Sequence, residues 1–277
     1  MRSRLVGMFG TLVLAAHHAG AQGGGVLIKI QPAVGDTLRM RLDQTTEVVA
    51  IRQVGTSESK STVVSTMQMF SRAIVEGISG KGTKVLAVTD SVLLSSTDER
   101  TRRPGQVRRQ TTEERVRFHV AADGTVTMSE DGKAPREVSE TVSLMPAAFP
   151  KEPVTPGETW VREMTLPGGS QFGAPVTGKL KVTFRFDSLS HGGDRAYLSM
   201  RGEMQPATGL GGSATASNLD NGAVNGTMLV DRKRGWLTES RFFIAVSSTV
   251  PASPATGPSP VRMQVRVTQH MQTVDRR

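Results

Sequence analysis

Apolar and polar residues alternate with a period of two along most of this chain, the pattern of strands buried on one side. Leu38, Met40 and Leu42 alternate with Arg39, Arg41 and Asp43, and Val63, Met67 and Met69 share a face with Ser65 between them. Leu86, Val88, Val92 and Leu94 read as one face interrupted by Asp90. Val116, Phe118 and Val120 alternate with Arg115, Arg117 and His119, and Asp123-Gly124 then predicts a hairpin turn into Val126 and Met128. The second half has the same style. Leu180, Val182, Phe184 and Phe186 form one face, His191-Gly192-Gly193-Asp194 is a turn, and Ala196, Leu198 and Met200 return. Val224, Met228 and Val230 lead to a turn over 231–235, followed by Trp236, Phe242, Ile244 and Val246. Val261, Met263, Val265 and Val267 make a last strand.

One segment departs from the period. Val138, Val142 and Met145 have near-helical spacing after Pro135, which predicts a short helix over 137–148, and Pro146, Pro150, Pro153 and Pro156 then predict an extended connector. The expected fold is all-β, a curved antiparallel sheet or half-barrel with one short central helix. A sheet with one apolar face must curl to hide that face on itself or on a helix. The expected division is a leader over 1–21, a first β-rich half over 22–134, the helix and Pro-rich connector over 135–156, and a second β-rich half over 157–277. Gly35-Asp36-Thr37-Leu38 matches Gly157-Glu158-Thr159-Trp160 in style, each opening a strand, which suggests related halves.

The leader rests on its own pattern. Arg2 and Arg4 precede a short apolar stretch over 5–16, and Ala19-Gly20-Ala21 has the small-x-small form of a cleavage site. Export to the periplasm or beyond is the expectation, with no transmembrane segment in the mature chain. The chain has no cysteine, so disulfides and thiolate metal sites are excluded together. Its net charge is +9. In an exported protein that charge points away from nucleic acid and toward anionic lipid, an envelope polymer or an envelope protein.

A catalytic set is not legible. After the leader only His119, His191 and His270 remain, without metal-ligand spacing, and no Gly-x-Ser-x-Gly elbow occurs. The run over 77–84 fails as a phosphate loop because Gly82 follows Lys81 where Ser or Thr is needed. No metal and no cofactor are expected. Two features could bind something. Methionine is frequent and aromatics are scarce at 4%. A flexible thioether adapts to varied apolar ligands, so Met67, Met69, Phe184, Phe186 and Met200 are candidate lining residues for a lipid or other apolar molecule. Arg102, Arg103, Arg108 and Arg109, split by Pro104-Gly105, could place guanidinium groups over an anion. The functional expectation is a non-catalytic binding module for an apolar or amphiphilic ligand. The alternative is a structural or interaction protein that docks on an envelope partner through its basic surface.

The run from Phe149 through Pro150, Pro153, Val154, Pro156 and Gly157 to Trp160 reads FPxxPVxPGxxW. In this phrase the chain resembles an uncharacterised family of bacterial exported proteins. The resemblance implies a β-rich fold and an envelope or extracellular location, and it supplies no activity, cofactor or catalytic residue. In layout the chain is also similar to the half-barrel lipoprotein carriers of the bacterial envelope, although it lacks a Cys anchor.

Overall fold

The computed structural model describes residues 24–98, 108–110, 114–129, 148–166, 178–206, 218–252 and 258–274. Twelve strands form one antiparallel sheet: β1 (Thr37–Val54), β2 (Ser57–Ser79), β3 (Gly82–Asp98), β4 (Arg108–Gln110), β5 (Glu114–Val120), β6 (Val126–Met128), β7 (Thr159–Leu166), β8 (Gly178–Leu189), β9 (Arg195–Pro206), β10 (Asn218–Asp231), β11 (Trp236–Val250) and β12 (Val261–Thr273). Their order is β6-β5-β3-β2-β1-β12-β11-β10-β9-β8-β7, with β4 pairing β3 off that path. Apart from β4 this is an up-and-down meander in which the last strand, β12, pairs with the first, β1, from Met40↔Thr273 to Arg52↔Val261. The sheet is not closed into a barrel, and the seam lies between β6 and β7. The all-β, antiparallel expectation therefore holds. The expected helix over 137–148 lies outside the described residues except for Ala148, and the leader over 1–21 lies wholly outside them.

Period-two alternation sends one set of side chains inward along every long strand. Leu38 and Ala73 are register partners, as are Val48 and Val265, Phe184 and Met200, and Phe186 and Leu198. All lie on the inner face. Phe184, Phe186 and Val182 are completely buried. One hydrophobic cluster takes in Leu38, Ala73, Val85 and Val120 from the first half and Phe184, Leu198, Val230 and Val265 from the second. The halves on either side of residues 135–156 share one core.

The outward set carries most of the charge, although Val49, Val88, Val161, Tyr197 and Phe243 also belong to it. Asp43 accepts from Arg41 at 2.8 Å and from Gln68 at 3.0 Å, and Arg72 pairs with Asp90, Arg117 with Glu76, and Arg266 with Glu47.

One expectation on β3 is overturned. Leu86, Val88, Val92 and Leu94 do not share a face. The register jumps from Ser71↔Thr89 to Phe70↔Ser91, so Asp90 is an extra residue in a β-bulge. A bulge shifts the alternation by one. Val88 therefore stands opposite Arg72 on the outer face, and Val92 stands opposite Met69 on the inner one.

The two similar phrases build the same turn. Gly35 and Gly157 have φ of 89° and 95°, the left-handed region glycine occupies without strain. The Ala33 N–H donates to Asp36 Oδ2 at 3.1 Å and the Thr155 N–H to Glu158 Oε2 at 2.6 Å. Gly35 then donates to the Val75 carbonyl, as Gly157 does to that of Phe186. Each partner strand has a register shift immediately afterwards, between Val75 and Gly77 and between Phe186 and Ser188.

Candidate functional site

The phrase around Phe149 is a structural bridge across the seam. The Phe149 N–H donates to the Asp123 carbonyl in the β5–β6 turn at 2.9 Å. Its carbonyl accepts from Arg162 Nη2 on β7 at 2.8 Å. Trp160 Nε1 donates to the Ala148 carbonyl at 3.0 Å, and the Trp160 ring stacks on Phe184 with centroids 5.8 Å apart. Val154 pairs with Val26, and from there the N-terminal strap crosses this end of the sheet. The Ile30 N–H reaches the Ala122 carbonyl and the Gln31 N–H the Gly235 carbonyl, with Ile28 and Ile30 inserted into the core. Strap and bridge together close one end of the half-barrel. Asp123 sits at their junction. Burial pushes its carboxyl up, but hydrogen bonds from the Thr125 hydroxyl and N–H, with Arg162 and Lys151 nearby, more than offset this and hold it below its ordinary value.

Away from this closed end the two sides of the inner face differ. On β8 and β9 it stays buried, with Leu180 at 8% and Met204 at 6% exposure. On β1, β2 and β3 it does not. Leu42, Met69 and Val92 form one cross-strand row, and Met67 and Leu94 continue in the next row beside Gln44. Met271 of β12 stands against Leu42. Leu94 is 38% exposed and the others are half-buried, and none of them belongs to the core cluster or packs against it. The result is a contiguous apolar patch on the inner wall. Gln44 and its register partner Gln269, with Thr46, Ser65 and Ser96, border it with amides and hydroxyls. Gln44 Nε2 donates to Thr46 Oγ1 at 3.3 Å, and Ser65 to Ser96 at 3.3 Å.

The candidate residues thus separate. Met67 and Met69 line the patch. Phe184 and Phe186 at 0% and Met200 at 9% are packed core. Arg102 and Arg103 lie outside the described residues. Arg108 and Arg109 begin β4, paired with Leu94 and Leu93, at the edge of the patch. The histidines do not converge. His119 is on β5, His191 is exposed in the β8–β9 turn, and His270 Nε2 lies 3.2 Å from Glu239 Oε1 on the outer face. Among the described residues no group of three or more His, Cys, Asp or Glu is placed to hold a metal. Sequence reasoning missed Leu42, Val92, Leu94 and Met271 as patch residues, and missed the strap altogether. The alternation of Val26, Ile28 and Ile30 with Leu27 and Lys29 was the available signal.

No family model matches the chain, and no curated protein matches it. Among solved structures it is similar to lipovitellin, described for its lipid–protein interactions, with 11% identity and a TM-score of 0.45 over 89% of this chain. The chain spans 25% of the length of that lipovitellin chain. An outer membrane channel from Pseudomonas putida F1 aligns over 89% of this chain and 98% of its own, at 8% identity and a TM-score of 0.26. OccK7 (OpdD) from Pseudomonas aeruginosa aligns over 87% of this chain and all of its own, at 10% identity and a TM-score of 0.22.

Proposed function

We propose that this protein is an exported, non-catalytic binding module that holds an apolar or amphiphilic ligand on the inner wall of its half-barrel. The carrying observation is the patch of Leu42, Met67, Met69, Val92, Leu94 and Met271, which faces inward yet stays outside the packed core. Apolar surface left uncovered on a concave wall gains free energy by taking up an apolar chain, at about 25 cal/mol per Å² removed from water. The amides and hydroxyls of Gln44, Gln269, Thr46, Ser65 and Ser96 would meet an uncharged polar group of the ligand. The start of β4, paired with Leu94 and Leu93, lies at the border of the patch, where a charged head would leave the wall. Export is supported by the leader pattern at residues 1–21 and agrees with the FPxxPVxPGxxW phrase, in which the chain resembles an exported family.

Solvent extraction of the protein purified from the envelope, followed by mass spectrometry, is expected to recover bound lipid or another apolar compound. Titration of the stripped protein with a fluorescent fatty acid is expected to saturate. Leu94→Asp and Met69→Asp should each weaken that binding about tenfold or more while lowering the melting temperature far less than Phe184→Ala does, because the patch is not core. Absence of both bound compound and saturable uptake rules the proposal out.

A further inference from the structure

At the closed end, where β1 runs past the end of β12, lies a cleft of about 360 Å³ lined by Asp36, Thr37, Leu38, Arg39, Arg234, Thr273 and Val274. Two arginines from distant parts of the chain line it. Arg234 is the last of three consecutive basic residues in the β10–β11 turn. Arg232 donates to the Gly193 carbonyl, and Lys233 pairs with Asp194 at 2.7 Å, so both are held by the β8–β9 turn. Arg234 has no side-chain partner among the described residues and lines the cleft instead. Its backbone is fixed from both sides. Asp231 Oδ1 accepts the Lys233 and Arg234 N–H groups, and the Gly235 carbonyl accepts from Gln31.

Arg39 comes from β1. Its cross-strand neighbour is Arg72, whose charge is matched by Asp90 at 2.7 Å. No such partner among the described residues reaches the Arg39 side chain. Asp36 is the one carboxylate lining the cleft among the described residues, and its Oδ2 accepts the Ala33 N–H. Two arginines therefore line a concave space with one carboxylate among the described residues, an excess of positive charge. Guanidinium forks bind tetrahedral and planar oxyanions through paired hydrogen bonds. A fixed backbone on both sides lowers the ordering cost of doing so.

We propose that the Arg39–Arg234 cleft is a binding site for a phosphate group, separate from the inner-wall patch. The group is either that of a soluble phosphate compound or the headgroup of a phospholipid, and the test distinguishes them. Inorganic phosphate is titrated into the full-length mature protein by calorimetry at low ionic strength. Arg39→Gln and Arg234→Gln are compared with Arg262→Gln, which removes an outer-face charge at the opposite end of the sheet. Saturable one-to-one binding that weakens about tenfold in each cleft variant, and not in R262Q, is the expected result. Flotation with vesicles of phosphatidylglycerol and phosphatidylcholine is the second arm. Capture that R39Q and R234Q abolish and free phosphate competes away assigns the phosphate to a lipid headgroup, and phosphate binding without capture assigns it to a soluble compound. Failure of both titration and capture, or equal behaviour of the cleft variants and R262Q, overturns the proposal.

Discussion

A methyl group on Gly235 would stand 2.3 Å from the Gln31 carbonyl oxygen, at a φ of +60° that side chains rarely adopt. Gly235→Ala is therefore expected to lower stability by about 2 kcal/mol or more and to release the strap, seen as faster amide exchange at Ile30 and Gln31. Phe184→Ala removes a completely buried ring and should cost about 3–5 kcal/mol in denaturant melts. Leu94→Ala should cost well under half as much, since Leu94 keeps 38% of its surface in water. This contrast marks what the sequence could not tell. Phe184 and Leu94 occupy equivalent places in their alternating patterns, and the period reports only which way a side chain points. Whether that direction ends in packed core or on a bare wall depends on what the opposite wall supplies. Phe184, Phe186 and Met200 therefore read as lining residues as readily as Met67 and Met69 did.

The elements themselves were mostly legible, because long alternating runs and glycine turns leave little choice of conformation. The exception on β3 has a local cause. Asp90 pairs with Arg72 across the bulge, and a one-residue insertion in one strand shows only once its partner is known. The strap escaped notice because it is short and makes its hydrogen bonds to turns rather than to a strand. Two carboxylates give these elements a pH signature. The hydrogen bond from Arg41, opposed by burial and aided by Gln68, holds Asp43 below its ordinary value, and Asp123 is held low at the strap–bridge junction. A carboxyl depressed in the folded state adds stability that is present above its unfolded pKa and lost as pH falls through the folded one. Melting temperature is expected to hold near neutrality and to drop as pH falls below about 4. D43N and D123N should each melt lower at pH 7 and show a shallower acid slope. Equal slopes in wild type and variants would contradict the assignment.

For the molecule as a whole, one core joins both halves of the sheet. Heating is expected to give a single transition, coincident by far-ultraviolet circular dichroism and tryptophan fluorescence, because Trp160 and Trp236 both pack with that core. Residues 157–277 expressed alone should not give a cooperative melt, since β12 would lose β1 and the inner face would lose Leu38 and Ala73. A folded, monomeric fragment would show that the halves are independent. The two matching turns at Gly35 and Gly157 do not argue for independence. They repeat a way of starting a strand, and the sheet they start is continuous.

The pairing of β1 with β12 also sets an order of assembly. The chain delivers β1 early and its partner last, so β1 to β3 must wait with an unsatisfied row of amides and carbonyls until the C-terminal residues arrive. Pairing two strands more than two hundred residues apart in sequence is slow, and a waiting edge invites its twin on another molecule. Refolding yield should therefore fall steeply with protein concentration, and truncation by a dozen residues at the C-terminus should make the chain markedly more prone to aggregate.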